Sequence, residues 1–556
     1  MSQPTSSTQA HHPCPSQVQV NTGASGCGSQ FKAQESEAFI APPSIPTSTL
    51  QTSTPQLLQE GLPPAFRMGF KTWLIYRWKQ ICAACVLGCA VIMTGNVVGW
   101  SVEVSRIMED PNTNFNFTQD DHQWLVSCGG IAAIFSTAGA GMLVELVGPC
   151  RLLGFMLVPA AIGWILMATT LSLPWIYVGR VITGAIGFMI TTVAQPVIAE
   201  MCLPDVRGLL SSLTEIMVSV GMLLVYILAR FLSWQTTTLI CGVLLFPLVT
   251  AILFVPESPY WLLRRGREKM ALRSLMRLRA PEHDVDSELS NIREAINQQT
   301  QHSSIKQQFL SLKETANYRP VVLVTSMFLL RELGGAMNIF MYAVFFFENA
   351  GVMLDPFSCS IVLGFSRLIF TVISATIIDK VGRRPLLLSS TLICSLTLYI
   401  TGGVLSMEDQ GIGWLPLACV VLYVASFGMG VGPVPWILLG ELLPTPVRSI
   451  GASIVTSVFV VVLFIVTNVF PDVATAIGVE NACLIFATFQ LILALIVFLF
   501  VPETRGRTLE ELQQAFVGNE LLTPFSQTGR QGYTPAYGST FPSGMSFPSS
   551  SQEKVR

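Results

Sequence analysis

The chain is poor in charge, in histidine and in long polar stretches. Only 12% of its 556 residues are charged and the net charge is -2, against about 25% charged residues in ordinary soluble domains. So few charges cannot clothe soluble domains of this size, and a near-neutral chain has no basic footprint for nucleic acid. The five histidines stand at 11, 12, 122, 283 and 302, all outside the apolar runs, so no relay of buried imidazoles is expected. No Gly-x4-Gly-Lys-Ser/Thr loop occurs, which argues against a primary ATP-driven pump. The apolar part holds no Ser/His/Asp, Cys/His or metal-ligand constellation, so neither an enzyme nor a metal or cofactor site is expected. The first residues lack a basic segment followed by a short apolar core, which argues against a signal peptide. Cysteine is not scarce, at thirteen, yet Cys82, Cys85, Cys89, Cys128, Cys241, Cys394 and Cys483 lie inside apolar runs. Cys82-x2-Cys85 has no second pair or histidine near it, so these read as small packing residues.

What the chain has in abundance is apolar length. Runs near 81–103, 124–147, 152–172, 175–199, 209–231, 235–255, 320–346, 357–378, 385–406, 414–439, 450–470 and 479–501 are each about the ~20 residues that cross a bilayer core as helix. The predicted fold class is an all-α membrane protein with twelve transmembrane helices. Residues 1–65 and the end of the chain are rich in Ser, Thr, Gln and Pro, and cannot bury enough apolar surface to fold. The expected organisation is a disordered tail 1–65, a six-helix bundle 75–255, a helical linker 256–319, a second six-helix bundle 320–502 and a mostly disordered tail 503–556.

Charge in the connections sets the orientation. Arg67, Lys71, Arg77 and Lys79 precede the first run, while the next connection has Arg106 among Glu103, Glu109, Asp110, Asp120 and Asp121. The connections near 347–356, 407–413 and 471–478 have no Lys or Arg, and those near 379–384, 440–449 and 502–507 have Lys380, Arg383, Arg384, Arg448, Arg505 and Arg507. The segment 256–319 holds eleven basic against eight acidic residues. This alternation predicts a multi-pass protein of the cell membrane with both termini and the linker in the cytoplasm. It leaves the sequon at Asn116 outside, as a candidate glycosylation site.

The two halves repeat. Gly141-x3-Glu145-x2-Gly148 recurs as Ala375-x3-Asp379-x2-Gly382, Glu200-x6-Arg207 as Glu441-x6-Arg448, and Pro256-Glu257-Ser258 as Pro502-Glu503-Thr504. Duplicated bundles place a binding site between the halves, exposed to each side in turn by rocking. The repeated charges all fall on the predicted cytoplasmic face, where they could bridge neighbouring helix ends and latch that face. The candidates are Glu145, Arg151, Glu200, Arg207 and Glu257 in the first half and Asp379, Arg383, Arg384, Glu441, Arg448 and Glu503 in the second. The segment Pro256–Arg279 should form short amphipathic helices, with an irregular stretch over 296–306.

The order of these motifs resembles the sugar porter branch of the major facilitator superfamily. The matching pieces are Gly179-Arg180-x3-Gly184, Pro196-Val197-x2-Glu200, Val206-Arg207-Gly208, Pro256-Glu257-Ser258-Pro259, Gly382-Arg383-Arg384, Gly432-Pro433-x-Pro435-Trp436 and Pro502-Glu503-Thr504-x-Gly506-Arg507, over roughly residues 75–515. Pro435-Trp436-x3-Gly440-Glu441-x2-Pro444 is most similar to the arthropod facilitated trehalose transporters, beside the facilitative glucose transporters. The resemblance implies a major facilitator fold and facilitated diffusion of a hexose or trehalose-like disaccharide by alternating access, as a uniporter. The expected partners are a small-molecule sugar and the lipid bilayer, with the protein a monomer. Proton-coupled sugar symport, transport of a charged organic solute on the same fold, and a non-transporting sugar sensor are the alternatives.

The chain departs from the family where sugars bind. The first-half turn reads Gly148-Pro149-Cys150-Arg151 in place of Gly-Arg-Arg, so that half of the latch should be weaker. In span 7 the family's amide-rich segment is replaced by Arg331-Glu332-Leu333-Gly334-Gly335-Ala336-Met337, with Asn338 displaced by one position. Family amides of spans 5 and 8 align with Glu215 and Arg367, and an Asn-Trp pair of span 11 aligns with Phe459-Val460. Trp436 keeps its family identity. The candidate substrate residues are therefore Glu215, Arg331, Glu332, Asn338, Tyr342, Arg367 and Trp436, with Phe340 and Phe427 as core packing. Ionisable groups between membrane helices must pair or face the cavity. Four readings are open: ion pairs lining a sugar site, a site for a charged or zwitterionic solute, a proton carrier at Glu215 or Glu332, or scaffold pairs that touch no substrate. Proton-coupled relatives carry a span-1 Asp near the span-4 arginine. Here Val97 aligns with it, and Arg180 lacks that partner.

Overall fold

The computed structural model describes residues 70–109, 117–170, 172–281, 283–300, 310–349, 354–407, 414–444 and 447–506. Asn116 and the expected tails 1–65 and, beyond Gly506, 503–556 lie outside the described residues. Among the described residues, twelve helices are long and apolar enough to cross a membrane. They are Arg77–Met108, Gln119–Val147, Pro149–Thr169, Leu173–Met201, Gly208–Phe231, Trp234–Leu253, Thr315–Met341, Pro356–Val381, Arg383–Leu405, Leu415–Leu442, Ile450–Ile477 and Val479–Phe500, the first to twelfth spans below. Each falls on one of the apolar runs. Their outer faces carry bare apolar side chains such as Phe135, Phe231 and Phe254, an exposure that suits a hydrocarbon surround and not water.

Two charges and a histidine are placed differently from the sequence expectation. The first span does not end near 103. The helix pauses at Trp100, resumes at Ser101 and runs to Glu109, because Trp100 N–H and Glu103 N–H bond back to Asn96 and Trp100 carbonyls. Glu103 is thus fully buried beside Arg106, at 3.7 Å, and is not a loop carboxylate. His122 is likewise inside the second span, buried and edge-on to Tyr342 at 5.6 Å. Thr118 and Asp121 cap that helix reciprocally, which starts it five residues earlier than the apolar run suggested.

Small residues bring the spans together, as they do where no water drives helices to associate. The second and fourth spans cross at Gly129 and Gly184, where a Cβ on Gly184 would strike the Gly129 backbone. The first and fifth cross at Gly95 and Gly221 in the same way. The halves are joined by polar contacts near one end. Gln123 donates to Asp472 at 2.6 Å, Ser127 to Asn468 at 2.8 Å, and Arg230 pairs with Asp355 at 3.1 Å. Tyr226 O–H donates to the Phe340 carbonyl at 2.6 Å. The seventh span is broken at Gly334-Gly335, where Gly335 takes φ 77°.

Between the sixth and seventh spans the described residues form three short helices, Pro259–Arg264, Glu268–Leu278 and Val285–Thr300. The last persists to Thr300, where the sequence suggested an irregular stretch from 296. Helix Glu268–Leu278 buries Ala271, Ser274, Leu275 and Leu278 on one face. Arg279, itself buried, fastens this segment. It donates to both Glu288 oxygens at 2.8 and 2.6 Å and to the Met201 carbonyl at 2.9 Å, while Lys79 donates to its own carbonyl at 3.1 Å. Burial alone pushes the Glu288 carboxyl up. The Arg279 hydrogen bonds and charge, with His283 beside them, outweigh burial and hold it below its ordinary value.

Two outcomes are expected. Gly184→Val overpacks the crossing and should lower thermal stability by ~1–3 kcal/mol, read as earlier unfolding in detergent. Because Glu288 is held low, its contribution is present above the unfolded-state value of about 4.3 and fades as pH falls through the lower folded value. Limited proteolysis of the 256–300 segment should therefore be slow at neutral pH and rise in strong acid. Glu288→Gln should make it fast throughout.

Candidate functional site

The repeated motifs build two equivalent clamps. In each half a glycine turn joins two spans with φ near 100°, at Gly148 and Gly382. A Cβ there would fall 2.8 Å from Glu257 Oε2 or 2.6 Å from Glu503 Oε2. The glycine leaves room for a carboxylate to sit on the N-terminus of the next span, where unpaired N–H groups and the helix dipole favour an anion. Glu257 accepts from Cys150 N–H at 2.7 Å and Arg151 N–H at 3.3 Å. Glu503 accepts from Arg383 and Arg384 N–H at 3.0 and 3.1 Å. The next residue also repeats its role, Ser258 donating to Glu200 and Thr504 to Glu441, each at 2.6 Å.

The guanidinium of each clamp comes from a different place. In the second half Arg383 bridges Asp379 at 2.9 Å and Glu441 at 3.1 Å. Its equivalent in the first half is Pro149. There Arg264, from the helix Pro259–Arg264, bridges Glu145 at 3.4 Å and Glu200 at 3.6 Å. Sequence reasoning missed Arg264. Its signal was weak, one arginine among several after Glu257-Ser258-Pro259. Arg151 only brushes Glu257, at 4.0 Å. Arg384 donates to the Phe498 carbonyl at 2.6 Å, and Arg448 lies 3.4 Å from the Leu443 carbonyl. The side chain of Arg207 is outside the described set. All these pairs tie helix ends within one half.

Deeper in the bundle, four charges meet at the interface of the halves. Arg331 and Glu332 of the seventh span pair at 2.6 Å, with both side chains almost fully buried. Arg367 of the eighth span lies 3.6 Å from Glu215 of the fifth, an ion pair across the halves. Two carboxylates and two guanidiniums leave the cluster neutral, which is the condition for burying charge in a low dielectric. Aromatic rings cover the cations. Arg367 sits 4.5 Å from the Phe340 centroid, and the Phe427 ring has Arg331 at 5.3 Å and Arg367 at 5.6 Å. The Phe340 and Phe427 rings meet edge-on at 5.6 Å, so these residues do more than fill the core. A short π-helical turn, Phe427–Val431, presents the Val431 carbonyl to Arg331 Nε at 3.0 Å.

The remaining candidates divide. Trp436 stands edge-on to Phe328 at 4.8 Å and Phe459 at 5.4 Å, and Phe459 in turn lies 5.6 Å from Arg331. Phe459, aligned with a family amide, is therefore part of the cluster's wall. Asn338 and Tyr342 instead dock on the eleventh span, donating to the Val466 and Thr467 carbonyls at 3.3 and 3.1 Å. Arg180 is fully buried. It donates to the Val97 carbonyl at 2.7 Å, Ser101 Oγ at 2.6 Å and the Leu125 carbonyl at 3.2 Å, with Trp100 against it. Among the described residues no carboxylate ion-pairs with Arg180.

The family model for "Sugar (and other) transporter" matches residues 81–516. The chain belongs to this family. It is 30% identical over 483 residues to a facilitated trehalose transporter, Tret1, of Aedes aegypti, covering 84% of this chain and 59% of that protein. It is 30% identical over 474 residues to trehalose transporter 1 of Drosophila melanogaster, covering 83% and 55%. The chain thus spans a little over half the length of these relatives. Among solved structures it is similar to the major facilitator superfamily proton:xylose symporter XylE bound to 6-bromo-6-deoxy-D-glucose, at 22% identity and TM-score 0.66, over 79% of this chain and 99% of that one. An inward-open XylE from E. coli gives 21% identity and TM-score 0.63, over 78% and 98%. The fold is the major facilitator fold, and the chain is a multi-pass membrane protein of a transporter family, not an enzyme.

The equivalence of the clamps makes a prediction. Arg264→Ala and Arg383→Ala, 119 residues apart in sequence, should lower thermal stability to a similar degree. Glu257→Gln and Glu503→Gln should each cost about 1.5–3 kcal/mol, since each removes charge-assisted bonds at a helix N-terminus. Thermal unfolding of the four purified variants checks both.

Proposed function

We propose that this protein is a facilitative transporter that moves a hexose or a trehalose-like disaccharide down its gradient by alternating access. The observation that carries this reading is the neutral, aromatic-walled charge cluster of Glu215, Arg331, Glu332 and Arg367 where the fifth span meets the seventh and eighth. A polar solute held there touches both halves, so its binding is coupled to their rocking. Trp436 supplies a flat apolar face of the kind that stacks on a sugar ring. Asn338 and Tyr342 line the approach along the eleventh span. The absence of an ion-pairing acid at Arg180, among the described residues, supports uniport over proton symport. Membership of the transporter family and the trehalose-transporting relatives support the substrate class.

The charge pattern of the connections supports the orientation. The clamps and the 256–319 linker face the cytoplasm, both termini lie there, and Asn116 faces outside, in the cell membrane. The bundles 75–255 and 320–502 move as units, and the clamps of Glu145, Glu200, Glu257 and Arg264 and of Asp379, Arg383, Glu441 and Glu503 keep each unit rigid. Arg448 and Arg207 stand at the same ends of the two repeats.

Uptake of radiolabelled glucose and trehalose into vesicles containing the full chain tests the proposal. Saturable uptake should equilibrate without accumulating, and an inward pH gradient should leave the plateau unchanged. Accumulation above equilibrium that Glu215→Gln abolishes would overturn uniport in favour of proton coupling. Arg367→Ala should lower the initial rate at least tenfold, because it leaves Glu215 without its counter-charge.

A further inference from the structure

The four buried charges are not equally available. Arg331 is engaged on Nε by the Val431 carbonyl and on Nη1 by Glu332, and its plane is flanked by Phe427 and Phe459. Arg367 is flanked by Phe340 and Phe427, has Met222 Sδ at 3.8 Å from Nη1, and reaches Glu215 with Nη2. Rings thus cover both guanidinium planes, and each guanidinium faces a carboxylate. The carboxylates are less spent. Glu332 Oε2 is buried and has no hydrogen-bond partner among the described residues, although Oε1 of the same group is held at 2.6 Å. Among the described residues the Glu215 carboxylate is met by Arg367 alone, at 3.6 Å, which is too long for a hydrogen bond, and its side chain is 16% exposed. Asn338 Oδ1, beyond the break at Gly334-Gly335, is a second buried oxygen without a partner among the described residues.

A buried acceptor without a donor costs about 1–3 kcal/mol, so a site of this kind favours whatever brings donors. Carboxylate acceptors form the stronger, charge-assisted class of hydrogen bond, and they repel an incoming anion. Resting on the sugar-transport reading above, we propose that the unspent oxygens of Glu332 and Glu215 make this site selective for donor-rich sugars. Neutral polyols enter, an amino sugar carrying an ammonium is preferred over its parent hexose, and an acidic sugar is rejected. The ammonium offers three donors and a positive charge to two carboxylates. A uronate would have to compete with Glu332 and Glu215 for the two guanidiniums while being repelled by both carboxylates.

The experiment compares D-glucose, D-glucosamine at a pH where its amine is protonated, and D-glucuronate on the full-length purified protein. Binding is read by thermal shift in detergent, and flux by competition in proteoliposomes. Binding of glucosamine at least threefold tighter than glucose, with glucuronate at least tenfold weaker, is the expected result. Glu332→Gln should bring the ratio of glucosamine to glucose affinity to about one, whatever it does to the affinity for either. Glu215→Gln serves the same purpose if the first variant fails to fold. Glucuronate binding as well as glucose, or a glucosamine preference unchanged in a folded variant, would overturn the proposal, as would the absence of binding by all three sugars. Ligand-selective binding without flux of any of them would support the donor selectivity and overturn the transport reading alone.

Discussion

A charge between membrane-spanning helices is tolerable only beside its opposite. Everything distinctive about this chain follows from that constraint. Glu215, Arg331, Glu332 and Arg367 come from three spans and two halves, and no single one is acceptable without the others. Their neutrality ties the identity of one residue to those on other helices. The aromatic side chains Phe340, Phe427 and Phe459 complete the arrangement by covering cations whose hydrogen-bonding capacity is otherwise in excess. The result is a buried cluster that is neutral overall but chemically lopsided, with an unpartnered oxygen on Glu332.

The same constraint shapes the ends of the helices. The carboxylates Glu257 and Glu503 each lie on a helix N-terminus, where backbone N–H groups supply the positive end of a dipole. That arrangement needs glycine in the turn and is indifferent to the side chains that follow. It therefore survives in the first half, where Pro149 and Cys150 stand in place of two arginines. The missing guanidinium is recovered from Arg264, so the two halves reach one electrostatic solution by different routes. The linker is thereby part of the first half's clamp, and Arg279 with Glu288 fastens it again at the end of the fourth span.

Much of the fold was legible in the residues. Twelve apolar runs became twelve spans, and the repeat of Glu145, Glu200 and Glu257 with Asp379, Glu441 and Glu503 became two constellations with matching contacts. Periodicity and run length report local structure directly, so these readings needed no knowledge of contacts. Glu103, Arg106 and His122 were misjudged for the same reason. Each is a polar residue at the edge of an apolar run, and only a cap or a backbone turn shows that the helix continues through it. Trp100 and Thr118 carry those signals, but neither is strong enough alone.

The sequence by itself determined twelve apolar spans in two repeating halves, with Glu215, Arg331, Glu332 and Arg367 set inside the spans. Those are properties of order and spacing, and the chain carries them without folding. Only the tertiary structure decided which charge meets which. Arg367 meets Glu215 across 152 positions of sequence, Arg264 replaces an arginine that its repeat lacks, and Asn338 and Tyr342 dock on the eleventh span and not on the charges. It also decided which oxygen stays free, because that depends on distances of a few ångströms between helices. Electrostatic pairing in a low dielectric is settled by proximity, and proximity between distant segments exists only once the helices pack.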